Sequence, residues 1–291
     1  MVLEQLPKCK KHNLLLEPAI RNTAPCVLYA ALKIYNQNPN AVLLIAPSDH
    51  WIDDEATFLK NIKTSFNACA ENDILMTLGI QPDSPNTGYG YIQFENSAND
   101  TKKVKNFTEK PNLEKAQQFL ESGDYLWNAG IFVLSAKSII ASFEKSLPNM
   151  LSLFNAGIEV WNTDSETDFI KKNYEKAENI SIDFGIMERA DNVHVLPVDF
   201  GWNDLGTWGS LYNKLEKDFQ QNAVVGADAI FRDANGNMIK TQSGKKVIIQ
   251  GLNDFIIIEK EGVLLICPKK DEQDIKQITS AVKAKFGEDF V

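Results

Sequence analysis

AVLLIAP, residues 41–47, is a run of seven residues without one polar side chain, and its reading decides the fold. It has strand length, and a continuous apolar run of that length is expected of a strand buried on both faces. The polar cluster Ser48-Asp49-His50 follows it directly, and then Phe58, Ile62 and Phe66 recur every fourth residue, which predicts a helix. A second buried run, ILMTLGI, occupies 74–80. YGYIQF (89–94) and VKNFTEKP (104–111) read as strands, Leu113–Leu120 as a helix stopped by Gly123, NAGIFVLS (128–135) as a strand and 136–146 as a helix. Residues 149–190 are mainly helical in pattern, interrupted by Asn-Thr-Asp at 162–164. NVHVLPVDF (192–200) returns to strand, and Thr207 reads as the cap of a further helix. Strand–helix alternation over this length predicts an α/β domain with a mainly parallel sheet. Ligands of such sheets sit beyond the carboxyl ends of the strands. The clusters Ser48-Asp49-His50, Glu109-Lys110 and Asn203-Asp204 each follow an apolar run, so they are expected together at one sheet edge.

Beyond about residue 218 the pattern changes to AVVGADAIF, NMIKTQ, KKVIIQG, NDFIIIEK and GVLLICP, short strands separated by Gly, Asn and Asp turns, with helix resuming only at 272–286. Such spacing predicts a small all-β module, a sheet or a short solenoid, closed by a terminal helix. The boundary is placed at 216–222, giving domains 1–218 and 219–291.

Composition narrows the function. With 44% hydrophobic and 24% charged residues the chain is an ordinary globular one. Thirty basic against 39 acidic residues leave a net charge of −9, and Arg21, Arg189 and Arg232 are the only arginines. That balance opposes nucleic acid or an anionic membrane as a partner, since both require a basic face. A small anion held by a few lysines remains compatible. The four cysteines form no C-x-x-C pair, which predicts neither disulfides nor zinc and favours a reducing, cytoplasmic setting. MVLEQLPKCKKHN lacks the apolar core of a signal peptide, and no run approaches the ~18–20 residues of a membrane span.

Several strand-end residues have two readings each. Asp49, in P-S-D-H, either caps the next helix or offers a carboxylate to Mg²⁺, an ion that takes oxygen ligands. Asp204, in G-W-N-D-L-G-T-W, is either a turn residue or a second carboxylate for the same ion. Glu109-Lys110-Pro111 is either a solvated charge pair or a carboxylate for sugar hydroxyls beside an ammonium for phosphate. The glycines of T-G-Y-G-Y (87–91) permit close approach of backbone to a ligand, and Trp127-Asn128-Ala129-Gly130 is either a turn or an amide facing a sugar. His50 is assigned no catalytic role. Phosphate-loop, dinucleotide and nucleophile-elbow motifs are all absent from the sequence.

R-N-T-A-P (21–25), P-S-D-H (47–50), T-G-Y-G-Y-I (87–92), F-T-E-K-P (107–111), W-N-A-G-I-F (127–132), S-I-D-F-G-I-M-E (181–188) and G-W-N-D-L-G-T-W (201–208) stand in the order found in mannose-1-phosphate guanylyltransferases, and the chain resembles that family. The β-rich tail with G-L-N-D (251–254) is similar to the family's short C-terminal domain. The resemblance implies a Rossmann-like nucleotidyltransferase domain and a cytoplasmic transferase that makes GDP-mannose and pyrophosphate from GTP and mannose 1-phosphate. It implies Asn22 and Thr23 near guanine and Gly88, Glu109, Asn128, Gly130 and Asp183 around the mannose. Lys110 would lie toward the sugar phosphate, with Asp49 and Asp204 on Mg²⁺. A non-catalytic sugar-phosphate-binding subunit and a nucleotidyltransferase for another sugar or base are the alternatives, and a homodimer is the expected assembly.

The family opens with a strand and a G-G-x-G-T-R loop that wraps the triphosphate, whereas this sequence starts at MVLEQLP. The expectation is therefore that 1–291 binds the sugar side weakly, makes little GDP-mannose, and leaves AVLLIAP with an unpaired apolar edge.

Overall fold

The apolar run at 41–47 forms β1 (Val42–Ile45) in a computed structural model that describes residues 2–287. Before it come α1 (Val2–Gln5) and α2 (Thr23–Gln37). After it come α3 (Glu55–Glu71), β2 (Leu75–Ile80), β3 (Tyr91–Phe94), β4 (Lys102–Thr108), α4 (Leu113–Ser122), β5 (Tyr125–Ser135) and α5 (Ala136–Ser146). The helical stretch holds α6 (Pro148–Asn155), α7 (Glu166–Asn173) and a π-helical turn, Asp183–Met187, before β6 (Val193–Val198) and α8 (Trp208–Lys214). Side chains set these ends, at Thr207 and Gly123 as the sequence predicts, while α3 is capped by Asp54 and not by Asp49. Asp54, Asn112, Ser135 and Thr207 each accept the N–H of the residue three places on, capping α3, α4, α5 and α8, and Gly123 closes α4 in the left-handed conformation at φ 73°.

The strands form one sheet in the order β1-β5-β2-β6-β4-β3, with β3 also returning to β5. β1, β2, β3 and β6 share one direction, while β4 and β5 run against them, so the sheet is mixed. Its two faces are apolar. Leu75, Phe132 and Leu134 pack with Val27, Leu28 and Leu32 of α2 and Ile139 and Phe143 of α5. Met76, Leu78, Ile131 and Val133 pack with Ile62 and Cys69 of α3. At ~25 cal/mol per Å² of buried apolar area, two such faces are the main source of stability for this part. β1 pairs with β5 and, among the described residues, with no other strand.

β7 (Ala223–Arg232), β8 (Met238–Gln250), β9 (Phe255–Lys260) and β10 (Val263–Pro268) make a second sheet, followed by α9 (Ile275–Phe286). NMIKTQ and KKVIIQG are one strand, β8, rather than two. Gly226 and Gly244, at φ 81° and 84°, let β7 and β8 bend without breaking. β7, β8 and β9 pair in parallel, as successive coils of a short solenoid. Buried Asn222 and Asn237 stack between coils. The Asn222 Oδ1 accepts the Asn237 backbone N–H at 2.9 Å, and the Asn237 Oδ1 accepts that of Phe255 at 3.0 Å.

Contacts divide the chain into two units, Met1–Ser48 with Ile52–Trp202, and Asp49–Trp51 with Asn203–Val291. The division falls at Trp202/Asn203, ahead of the 216–222 change in pattern, and the bridge between Trp51 and Asn203 lies within the second unit. Among the described residues, no helix is long and apolar enough to cross a membrane.

Candidate active site

In the first unit a break in the β2–β5 ladder shapes the site. The register runs Thr77 with Phe132 and then Gly79 with Asn128, so β5 carries extra residues at 129–131, where Gly130 takes φ 66°. A bulge of this kind re-aims side chains and is common beside active sites. Here it turns Asn128 toward the π-helical turn. The Asn128 Nδ2 donates to Asp183 Oδ1 at 2.9 Å, and its backbone N–H donates to the carbonyl of Gly90 at 2.8 Å.

Glu109 directly follows β4, beside Gly90. A Cβ on Gly90 would collide with Glu109 Oε2 and lie 3.3 Å from the Asn128 Cβ, so any side chain there displaces the carboxylate. The Glu109 Oε2 is buried and meets no hydrogen-bond donor among the described residues. Burial, and secondly the Asp183 charge, push the Glu109 carboxyl up to about 7, while Lys110 Nζ, 3.6 Å from Oε1, opposes this. Asp183 is likewise raised, chiefly by burial. Lys110 sits at φ 46°, and its turn is held by Glu188 Oε1, which accepts the Glu109 N–H at 3.0 Å. Asp183 and Glu188 flank the π turn, closed by the Glu188 N–H donating to the Asp183 carbonyl at 2.9 Å.

Asn22 and Thr23 start α2 against the segment leading into that turn. The Asn22 Nδ2 donates to Asn179 Oδ1 at 2.7 Å, and Thr23 Oγ1 accepts the Ile182 N–H at 2.9 Å. Gly88 donates its N–H to Asn86 Oδ1 at 2.7 Å, and the neighbouring Tyr89 packs edge-on against Trp127 and Trp202. The structure thus gathers Glu109, Lys110, Asn128, Gly130 and Asp183. It adds Thr77 and Glu188, which sequence reasoning did not select, and Gly90, one of the two T-G-Y-G-Y glycines expected to let backbone approach a ligand. Thr77 is the one polar residue of ILMTLGI, Gly90 stands inside T-G-Y-G-Y, and Glu188 ends S-I-D-F-G-I-M-E.

In the second unit Trp51 and Asn203 exchange backbone hydrogen bonds at 2.7 and 3.1 Å, which sets the segments of Asp49 and Asp204 side by side. Both carboxylates act on His50, whose ring is nevertheless held below its ordinary pKa by burial. Asp204 Oδ1 accepts the Gly206 N–H at 2.9 Å, after Leu205 at φ 51°. Among the described residues no set of three or more His, Cys, Asp or Glu side chains is arranged to hold a metal. Mg²⁺ commonly takes one or two carboxylates and fills its shell with phosphate and water oxygens, so the Asp49–Asp204 pair fits its donor chemistry.

The nucleotidyl transferase family model matches residues 1–221. The mannose-1-phosphate guanylyltransferase of Salmonella montevideo is 36% identical over 97% of this chain and 61% of its own length. The xanthan biosynthesis protein XanB of Xanthomonas campestris is 35% identical over 98% of this chain and 60% of its own. The chain therefore spans about three fifths of the length of the curated relatives it matches. Among solved structures, a mannose-1-phosphate geranyltransferase of Thermus thermophilus aligns with a TM-score of 0.81 at 26% identity, over 93% of this chain and 78% of that one. A mannose-6-phosphate isomerase of Helicobacter pylori aligns at 0.57 and 28%, over 69% and 79%. With its first 221 residues matched by one family model and relatives aligned along nearly its whole length, the protein belongs to the nucleotidyl transferase family.

Proposed function

We propose that the protein is a mannose-1-phosphate guanylyltransferase, joining GMP from GTP to mannose 1-phosphate and releasing pyrophosphate. The observation that carries this reading is the buried Glu109 Oε2, a carboxylate oxygen with no donor of its own beside the Cβ-free face of Gly90. A sugar supplies the missing donors, since one carboxylate accepts two hydroxyls. On this reading Asn128 donates to another hydroxyl, Asp183 orients that amide, and Gly88 and Gly130 admit the sugar close to backbone. Lys110 meets the sugar phosphate, and Asn22 and Thr23 lie toward guanine. A phosphate oxygen of the sugar attacks the α-phosphorus of GTP in line, and the bond to the β-phosphate breaks. Asp49 and Asp204 would hold Mg²⁺, which neutralises phosphate charge when bound.

The free state of all four cysteines supports a cytoplasmic setting, and the exposed Ile230, Ile248, Leu264 and Ile266 of the second sheet support a homodimer. Calorimetric titration of residues 1–291 with mannose 1-phosphate, and pyrophosphate release with GTP and Mg²⁺, test the proposal. Absence of mannose 1-phosphate binding refutes the assignment.

A further inference from the structure

Thr77 lies in the middle of β2 with no exposed surface, where every other side chain from Leu75 to Leu78 is apolar. A buried hydroxyl is costly unless it is hydrogen-bonded. Its partners lie at the break in the β2–β5 ladder. Thr77 Oγ1 donates to Asn128 Oδ1 at 3.0 Å and stands 3.4 Å from the Ile131 carbonyl.

The Gly130 backbone N–H also points at Asn128 Oδ1, at 3.1 Å. A backbone N–H only donates, so the atom facing it is the amide oxygen, and the orientation of the amide follows from chemistry alone. The oxygen is turned inward onto two donors, and the NH₂ is turned outward, one hydrogen on Asp183 Oδ1 and one left to donate.

We infer that Thr77 is a positioning residue of the sugar pocket. Its hydroxyl and the Gly130 N–H hold the bulged Asn128 with the amide NH₂ outward, so that the pocket presents a donor beside the acceptor Glu109. The inference rests on the sugar-binding reading of this site only for its ligand, because the orientation of the amide is a property of the protein alone. A carboxylate acceptor next to a fixed amide donor makes one sugar hydroxyl donate and its neighbour accept, and so selects a sugar by where those two hydroxyls stand.

Two measurements on Thr77→Val and Thr77→Ser, in the full chain, test it. The first is the side-chain amide ¹⁵N–¹H pair of Asn128, identified by its loss in Asn128→Asp. Two resolved protons, the one on Asp183 protected from solvent exchange, are expected in the parent and Thr77→Ser, and faster exchange with converging shifts in Thr77→Val. The second is titration with mannose 1-phosphate, where Thr77→Val is expected to bind about tenfold more weakly and Thr77→Ser to recover most of the loss, the size expected for one buried hydrogen bond. An Asn128 amide unchanged in Thr77→Val, even if the variant melts earlier, overturns the inference and leaves Thr77 a structural plug of the bulge. A parent that binds no sugar phosphate refutes the functional reading instead, and the amide spectrum still decides the role of Thr77.

Discussion

Glu109 combines a buried, partnerless oxygen with a carboxyl pushed up to about 7, foremost by burial and next by Asp183. Its folded-state pKa lies above the ordinary 4.5, so its contribution to stability is complete below that value and is lost as pH rises through about 7. Ligand binding has the opposite sign, because only the ionised form offers both oxygens to hydroxyls. Affinity for mannose 1-phosphate should rise as pH is raised through 7, and Glu109→Gln should bind at least about tenfold more weakly and lose that dependence, the phosphate's own titration remaining in both. Calorimetry across this range reads both effects, and an unchanged affinity in Glu109→Gln would remove the carboxylate from the site. Gly90→Ala presses a methyl group into the same oxygen and should weaken binding with little change in melting temperature, since the displaced atom is the far end of a flexible side chain just beyond β4.

At the scale of elements, the π turn and the solenoid carry separate predictions. Glu188→Ala frees the Glu109 N–H and loosens the Lys110 turn, so sugar-phosphate binding should weaken while the secondary structure seen by circular dichroism stays the same. Asn237→Ala strips a fully buried amide that accepts from Phe255 and donates to Leu252, and should cost about 2–4 kcal/mol in urea unfolding through unsatisfied backbone groups. A cost under about 1 kcal/mol would mean that the stacked asparagines do not hold the coils together.

Which elements were legible in the sequence follows from what a one-dimensional pattern records. AVLLIAP and ILMTLGI are legible as strands because burial on both faces leaves a continuous apolar run. α2 is absent from the sequence reading, although Pro25 suits its first turn, where the missing N–H has no partner to lose. The bulge that aims Asn128 is invisible, since it belongs to the register between two strands far apart in the chain. The π turn is invisible as well, because one inserted residue leaves no period. The tail is legible as short strands of a sheet or a solenoid, but the sequence does not choose between them, because one stacked asparagine per coil is too sparse a repeat. Ordered motifs therefore named the candidate site residues, while the contacts of Thr77 and Glu188 are seen only in the folded pairing.

For the whole molecule, the sheet supplies a rigid frame with apolar layers on both faces, and the candidate sugar pocket is built from β4, β5 and the π turn of one unit. The Asp49–Asp204 pair belongs to the other unit. If the pair holds Mg²⁺, Asp204→Asn should abolish metal-dependent turnover and leave sugar-phosphate binding within about twofold, because that carboxylate lies outside the sugar-facing set. A tenfold loss of sugar binding in this variant would reassign Asp204. Sedimentation of 1–291 should show a dimer that Ile248→Lys disperses, given the exposed apolar strip on the second sheet. The most direct test is equilibrium binding of GDP-mannose to 1–291, compared with UDP-glucose and with the Glu109→Gln variant. GDP-mannose is expected to bind more tightly than UDP-glucose and to lose about tenfold or more on Glu109→Gln. Equal binding of the two nucleotide sugars, or no effect of Glu109→Gln, would contradict the assignment.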